Sequence, residues 1–363
     1  MRWLKRILLI FIVLVILYLL GPTPTTPRYD TALSTLPVQL PALEKQVELE
    51  ESKQKLKPGN NATIVWADSS YSKTEYAIVY LHGFSASREE GNPVHTTIAK
   101  TFGCNLYLSR LAAHGLDTIE PMANLTAEQL WESAKEAYNI GRQLGNKVIL
   151  MGTSTGGSLA LQLAAMYPEV AGLILMSPNI AINDPYAWLL NNPWGLQIAR
   201  LVRGSKNNEA SNKTEEYKRY WYFRYRLESA VELQEYLETA MVPATFAKIK
   251  QPVLTLYYYK DEVHQDPVVK VLAMQQMMQL LGTQAEEKKE VAIPNGGNHV
   301  LGSSMLSGDV PGVEQAITNF MTGTMKLQPR FATEQVSEAL KVNSAEVMKA
   351  IRPARKLVKE LSR

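Results

Sequence analysis

Residues 147–165 read KVILMGTSTGGSLALQLAA, and the reading of this stretch decides the fold. Its first half, from Val148 to Met151, is aliphatic and partly β-branched, the pattern of a strand buried on both faces. Its second half, from Ser158 to Ala165, is rich in Ala and Leu and suits a helix lying against a sheet. Between them stands Gly152-x-Ser154-x-Gly156. Small residues two places either side of a serine let the backbone turn sharply from strand to helix and expose Oγ above the sheet edge. Ser154 is therefore the candidate nucleophile, against the plainer reading of an idle serine in a glycine-rich turn.

Working outward, further strand-like runs lie at 63–66, 77–81, 105–108, 172–176, 253–258 and 290–293. Helical patterns separate most of them, as at 127–144 and 267–281. Strands alternating with helices imply an α/β fold with a mostly parallel sheet flanked by helices. The gap from 180 to 251 is too long for one crossover and too rich in helix formers for a loop. It predicts a helical cap at 181–251, inserted into a core formed by 58–180 and 252–325, on the side where the strands end.

A serine alkoxide is not available at neutral pH, so the nucleophile needs a general base, and the base needs a group that orients it. His299 stands in IPNGGNHVLG (293–302), after a strand-like run and a glycine-rich turn that can lift an imidazole over the sheet. The preferred acid is Asp261, where PVLTLYYYKDE (252–262) runs from a buried strand into a loop; Asp266 and Asp184 are alternatives for the same role. His264 lies too near Asp261 on one loop to be the base. The order Ser154, Asp261, His299 is that of a nucleophile–acid–base triad carried at three strand ends.

With these residues in place, the chain resembles a serine hydrolase of the α/β-hydrolase superfamily, in the style of carboxylesterases and monoacylglycerol lipases. The matching pieces are YLHGFSAS (80–87), LAAHG (111–115), GTSTGG (152–157), PVLTLYYYKDEV (252–263) and GNHV (297–300), spread over residues 63–321. The resemblance implies cleavage of lipid-like carboxylic esters through an acyl-enzyme, with no cofactor. It also implies an oxyanion hole made by the backbone amides of Phe84 and Thr155. Two departures bear on substrate preference: Thr155 stands where Met, Gln or Leu is common, and Tyr258-Tyr259 replaces His-Gly or Tyr-Gly. The same triad would serve acyl transfer or thioester or amide cleavage, and a hydrolase fold can also be a silent binding module. Of the cap aromatics, Trp221 and Phe223 are the candidates to line an acyl pocket, while others pack the cap onto the core.

Composition narrows the rest. A hydrophobic content of 46% with 20% charged residues describes a folded protein. The net charge of +3 is unevenly placed: Arg2, Lys5 and Arg6 open the chain, and eight basic against four acidic residues lie from Arg330 onward. Basic ends on a mildly acidic body suit a membrane surface and not nucleic acid, which needs a basic patch on the fold itself. Cys104 is the only cysteine, which excludes an intrachain disulfide and a cysteine metal site, and no His/Asp/Glu cluster has metal-ligand spacing. The apolar run at 7–20 behind three positive charges predicts an uncleaved transmembrane anchor at 1–21, with a cleaved signal peptide as the alternative, followed by a Pro/Thr stalk and linker at 22–57. This arrangement puts the N-terminus in the cytoplasm and the catalytic domain on the exoplasmic or periplasmic side. Residues 326–363 read as a basic amphipathic helical tail.

Overall fold

The computed structural model describes residues 2–211 and 213–330 of the 363-residue chain. Most of the tail expected at 326–363 lies outside the described residues. Helices α1 (Arg2–Leu19) and α2 (Leu40–Ser52) precede the sheet. Its strands are β1 (Thr63–Val65), β2 (Thr74–Leu81), β3 (Asn105–Leu108), β4 (Gly145–Thr153) and β5 (Gly172–Met176). Helices α3 (Val94–Phe102), α4 (Ala127–Leu144) and α5 (Thr155–Met166) connect β2 to β5. Beyond β5 come α6 (Gly195–Arg203), a small hairpin of β6 (Asn207–Glu209) and β7 (Arg224–Arg226), α7 (Glu215–Tyr220) within that hairpin's connection, α8 (Leu227–Ala240) and α9 (Pro243–Phe246). The chain then returns to the sheet with β8 (Val253–Tyr257), α10 (Val271–Leu280), β9 (Lys288–Ala292) and α11 (Val310–Gly323).

The main sheet has seven strands in the order β1-β3-β2-β4-β5-β8-β9. All its pairings are parallel except β1 with β3, which is antiparallel. Alternate residues of each inner strand enter opposite layers of core. Val148 and Leu150 of β4 join Val79, Leu173 and the helix residues Trp131, Tyr138 and Leu159 on one face. Ile149 and Met151 join Ile78, Ile174, Leu254 and the helix residues Ile98 and Phe320 on the other. Burial on both faces is why these strands read as continuous apolar runs and not as alternating ones. A capping box at Thr126 and Gln129 starts α4, and Asp309 caps α11.

Two expectations about the N-terminal part are corrected. No helix among the described residues is long and apolar enough to cross a membrane. At ~1.5 Å per residue the 18 residues of α1 reach only about 27 Å, and the charges of Arg2, Lys5 and Arg6 shorten the uncharged stretch to about 20 Å, against a hydrocarbon core of ~30 Å. Residues 22–57 are not a free stalk and linker either. The Trp131 indole donates to Asp30 O at 2.7 Å, Tyr167 OH to Thr31 O at 2.8 Å and Asn139 Nδ2 to Ser34 O at 2.7 Å, so the segment is strapped along α4. In α2, Leu43 and Val47 are buried in the core, each contributing about 1.5–3 kcal/mol of apolar burial. The strap also meets the cap, since Trp194 N donates to Pro22 O at 3.3 Å, and the Trp194 indole donates to Leu17 O near the end of α1 at 2.9 Å.

Candidate active site

Ser154 occupies the turn between β4 and α5 with φ 53° and ψ −120°, a conformation that is strained for a residue with a side chain. Its neighbours explain the glycines. A Cβ on Gly152 would lie 2.4 Å from Gly156 O, and one on Gly156 would lie 1.9 Å from Leu81 O. The turn is held by Ser154 N donating to Met176 O at 2.9 Å and by Asn179 N donating to Ser154 O at 3.0 Å. Strand, turn and helix thus meet as the 147–165 stretch predicts, with Ser154 at the carboxyl edge of the sheet.

His299 follows β9 at the same edge and is 8% exposed. Its Nδ1 lies 2.7 Å from Asp266 Oδ2, and Asp266 is 1% exposed. The second carboxyl oxygen of Asp266 accepts the amides of Val268 at 2.8 Å and Val269 at 3.1 Å, which fixes the carboxylate in rotation. Burial pushes the Asp266 carboxyl up, but the charge and hydrogen bond of His299 and the two amides outweigh it and hold the group below the usual range. Burial likewise pulls the His299 imidazole down, yet Asp266 and, less strongly, Glu90 hold it above its ordinary value.

The preference for Asp261 is corrected by this geometry. Its side chain is half exposed and pairs with His264, Oδ1 lying 2.8 Å from His264 Nδ1. The cause is a tight turn: Lys260 N donates to His264 O at 2.9 Å, throwing residues 261–264 outward, and Asp266 N returns to Tyr258 O at 3.0 Å. The chain therefore re-enters the protein at Asp266, beneath His299. Asp184 is exposed and caps its own turn by accepting the Tyr186 amide at 2.8 Å.

The loop after β2 is built to leave one amide open. His82 accepts the Leu111 amide on Nε2 at 3.1 Å and so donates Nδ1–H to Gly83 O at 2.9 Å. Gly83 N donates to Glu90 Oε2 at 2.5 Å, Ser85 N to His114 Nε2 at 3.0 Å and Ala86 N to Gly83 O at 3.3 Å. Tyr222 N from the cap donates to Ser85 O at 2.7 Å. Burial holds both histidines neutral, His114 down to about 4 and His82 well below its usual value. Among the described residues the amide of Phe84 has no acceptor within this turn, and neither has the amide of Thr155 at the first position of α5.

Of the two cap candidates, Trp221 is 3% exposed and packs with Ala86 of the loop and Val300 beside His299. Phe223 is only half-buried and carries Lys218 Nζ over its ring at 5.2 Å. Trp221 is thus brought to the site and Phe223 to the cap's own surface. A groove of about 1010 Å³ between the strap, α2 and α4 contains none of the triad residues. No cluster of His, Cys, Asp and Glu among the described residues could hold a metal ion. Glu90 was missed by sequence reasoning, because nothing in REEG distinguishes it from the exposed acids of the chain.

Comparison with known proteins agrees with this frame. Residues 127–302 match the family model described as serine aminopeptidase, S33, of the Hydrolase_4 group. The chain is 30% identical over 108 residues to a thermostable monoacylglycerol lipase of Bacillus sp. (strain H-257), a match covering 30% of this chain and 42% of that enzyme. The match therefore spans less than half the length of that relative. Among solved structures, a metagenome-derived lipolytic enzyme superposes with a TM-score of 0.59 at 19% identity, covering 74% of this chain and 100% of that one. Est1E from Butyrivibrio proteoclasticus, bound to ferulic acid, superposes with a TM-score of 0.50 at 17% identity, over 73% and 95% of the two chains. The fold is that of the α/β hydrolases, and the resemblance noted from the motifs holds.

Proposed function

We propose that the chain is a serine hydrolase that cleaves carboxylic esters through an acyl-enzyme, with Ser154, His299 and Asp266 as its triad. The observation that carries this reading is the buried His299–Asp266 pair at the sheet edge where Ser154 is held in a strained turn. Asp266 holds the proton on His299 Nδ1, leaving Nε2 as the base. Ser154 Oγ bonds to the ester carbonyl carbon as its proton passes to Nε2, and the carbonyl oxygen becomes an anion facing the amides of Phe84 and Thr155. The C–O bond then breaks, and Nε2 returns the proton to the leaving alcohol. Water repeats the sequence on the acyl-Ser154, releasing the acid and restoring the hydroxyl.

Lipid-like esters are the substrate class best supported. The monoacylglycerol lipase and the lipolytic enzyme among the similar proteins act on such compounds by name. Beside His299 the chain places an apolar cluster of Ala86, Trp221 and Val300, flanked by Tyr217 and Met305. Each buried methylene of an acyl chain is worth about 0.8 kcal/mol, or roughly fourfold, until the pocket is full. The family description raises a second reading, cleavage of aminoacyl amides. A series of p-nitrophenyl esters from acetyl to dodecanoyl, run beside aminoacyl p-nitroanilides, decides between them. We expect kcat/KM to climb with acyl length and then drop; a flat ester series, or faster cleavage of the anilides, overturns the ester reading.

We also propose that α1 attaches the enzyme to a membrane without spanning it. A helix that is apolar on every side and exposed along its whole length needs an apolar environment, and Arg2, Lys5 and Arg6 suit anionic headgroups. Co-flotation with anionic vesicles that is lost on removing residues 2–21 is the expected result, and equal flotation of both forms would refute it.

A further inference from the structure

Glu90 is 3% exposed and has no part in the steps above. It sits on the short 3-10 segment Arg88–Gly91, wedged between three pieces of the site. On the first side is the oxyanion loop, whose Gly83 amide donates to Glu90 Oε2 at 2.5 Å. A Cβ built on Gly83 would lie 2.8 and 2.9 Å from the two carboxyl oxygens and 3.0 Å from the Cβ of Ser154. A glycine hydrogen is all that separates this carboxyl from the nucleophile's own carbon. On the second side is the His299 loop: Ser304 N donates to Asn92 O at 3.0 Å, and Pro93 bridges to Ser303. On the third is the cap, whose Trp221 packs between Ala86 of the oxyanion loop and Val300 beside His299 and favours the charged carboxylate.

Burying a carboxyl is costly, and a backbone carbonyl or an amide side chain would hold one N–H without that cost. The contacts indicate what the charge is for. Resting on the hydrolase reading, we propose that Glu90 is a positioning residue: it pins Gly83 so that the Phe84 amide faces the oxyanion, and its charge beside His299 sets the protonation of the base.

The groups that interact with Glu90 are Tyr80 from β2, Tyr217 and Trp221 from the cap and His299; His82 lies behind Gly83 and His95 against Tyr80 and Gly91, with Arg88 and Glu89 on its own segment. Burial, followed by the Glu90 charge, pushes Tyr217 up to about 12 and Tyr80 well above its usual value, so both stay neutral. Burial pulls His95 down to about 4 and His82 well below its usual value. Arg88 Nε donates to Gly59 O, and Glu89 accepts from Asn92 Nδ2. His299 is the histidine among them that is held above, and not below, its ordinary value. Burial raises Glu90 itself to about 7, against the pull of the Gly83 amide, His299 and Trp221. The two protons therefore belong to the pair.

Glu90→Gln keeps the shape and removes the charge. A negative neighbour favours the imidazolium, so removing it lowers the pKa of His299 and moves the acid limb of kcat/KM to lower pH. We expect that shift to be about 0.5–1 unit, with kcat down about tenfold and KM within about threefold. The His299 midpoint is also read directly, from the imidazole ¹³C shift in Ser154→Ala with and without Glu90→Gln, and should fall by the same amount. Midpoints unmoved by both measurements overturn the proposal, even if kcat drops, because a packing residue would do that alone. If the wild type turns over no ester, the ester reading fails, and the ¹³C titration still decides the role of Glu90.

Discussion

Replacing Asp266 by Asn tests the assignment on which sequence and structure part. Oδ1 of Asp266 accepts two amides, at 2.8 and 3.1 Å, while Oδ2 meets His299 Nδ1 at 2.7 Å. An Asn at this position satisfies the two amides only with its oxygen toward them, which turns its NH2 to His299. Nδ1 must then accept, the ring proton moves to Nε2, and the base can no longer take the Ser154 proton. The opposite orientation sets the NH2 against two N–H groups, so it does not compete. The wrong tautomer costs about 10⁴ in kcat, or about 5.5 kcal/mol of transition-state stabilisation. Asp261→Asn disturbs only a half-exposed pair with His264 and should change kcat less than about threefold. The assay is kcat and KM on a p-nitrophenyl ester at pH 8, with Ser154→Ala as background. If Asp261→Asn is the more damaging, or Asp266→Asn stays within about tenfold of wild type, the reasoning is refuted.

Because Asp266 and Glu90 outweigh burial and hold His299 above its ordinary 6.5, the acid limb of kcat/KM should lie above pH 6.5, with activity lost as pH falls through it. A limb below pH 6 would show that the pair does not form in solution. Glu90 is raised from 4.5 to about 7, so its contribution to stability is present below pH 4.5 and is lost as pH rises to about 7. Glu90→Gln should therefore melt progressively higher than wild type across that interval, by up to about 3 kcal/mol at pH 8; a constant difference would contradict the shift. Deleting residues 2–21 should leave kcat/KM within about twofold, because α1 buries no residue and its neighbour strap remains docked.

The elbow was legible because its requirement is steric. Gly152 and Gly156 are small for contacts of 2.4 and 1.9 Å, and no other residue type fits, so the spacing itself carries the structure. The inner strands were legible because burial on both faces makes the runs 148–151 of β4, 172–176 of β5 and 253–257 of β8 almost wholly apolar. Asp261 and Asp266 were harder to separate, since both follow one strand and stand only five residues apart. What distinguishes them is the path of the chain, which a turn closed by His264 diverts outward. A usable signal lay in the flanks: Asp266 precedes Pro-Val-Val, whose Val269 returns to the core, while Asp261 sits among Lys260, Glu262 and His264. The linker concealed a docked strap for a similar reason. Leu40, Leu43 and Val47 share one helix face, but the surrounding glutamates and lysines mask the pattern. The reach of α1 failed on length, since the charges of Lys5 and Arg6 lie inside the helix and not before it. Burial of Glu90 depends on three separate loops meeting, and no local pattern encodes that.

The central claim is that Ser154 is an activated nucleophile, and a fluorophosphonate probe tests it most directly, because such a probe bonds to a serine only where a base removes its proton. Intact mass after labelling should show one adduct on the full chain, mapping to the peptide that contains Ser154. The adduct should be absent in Ser154→Ala and should form far more slowly in Asp266→Asn than in Asp261→Asn. An adduct that persists in Ser154→Ala, or a wild-type chain that hydrolyses esters without being labelled, would contradict the account.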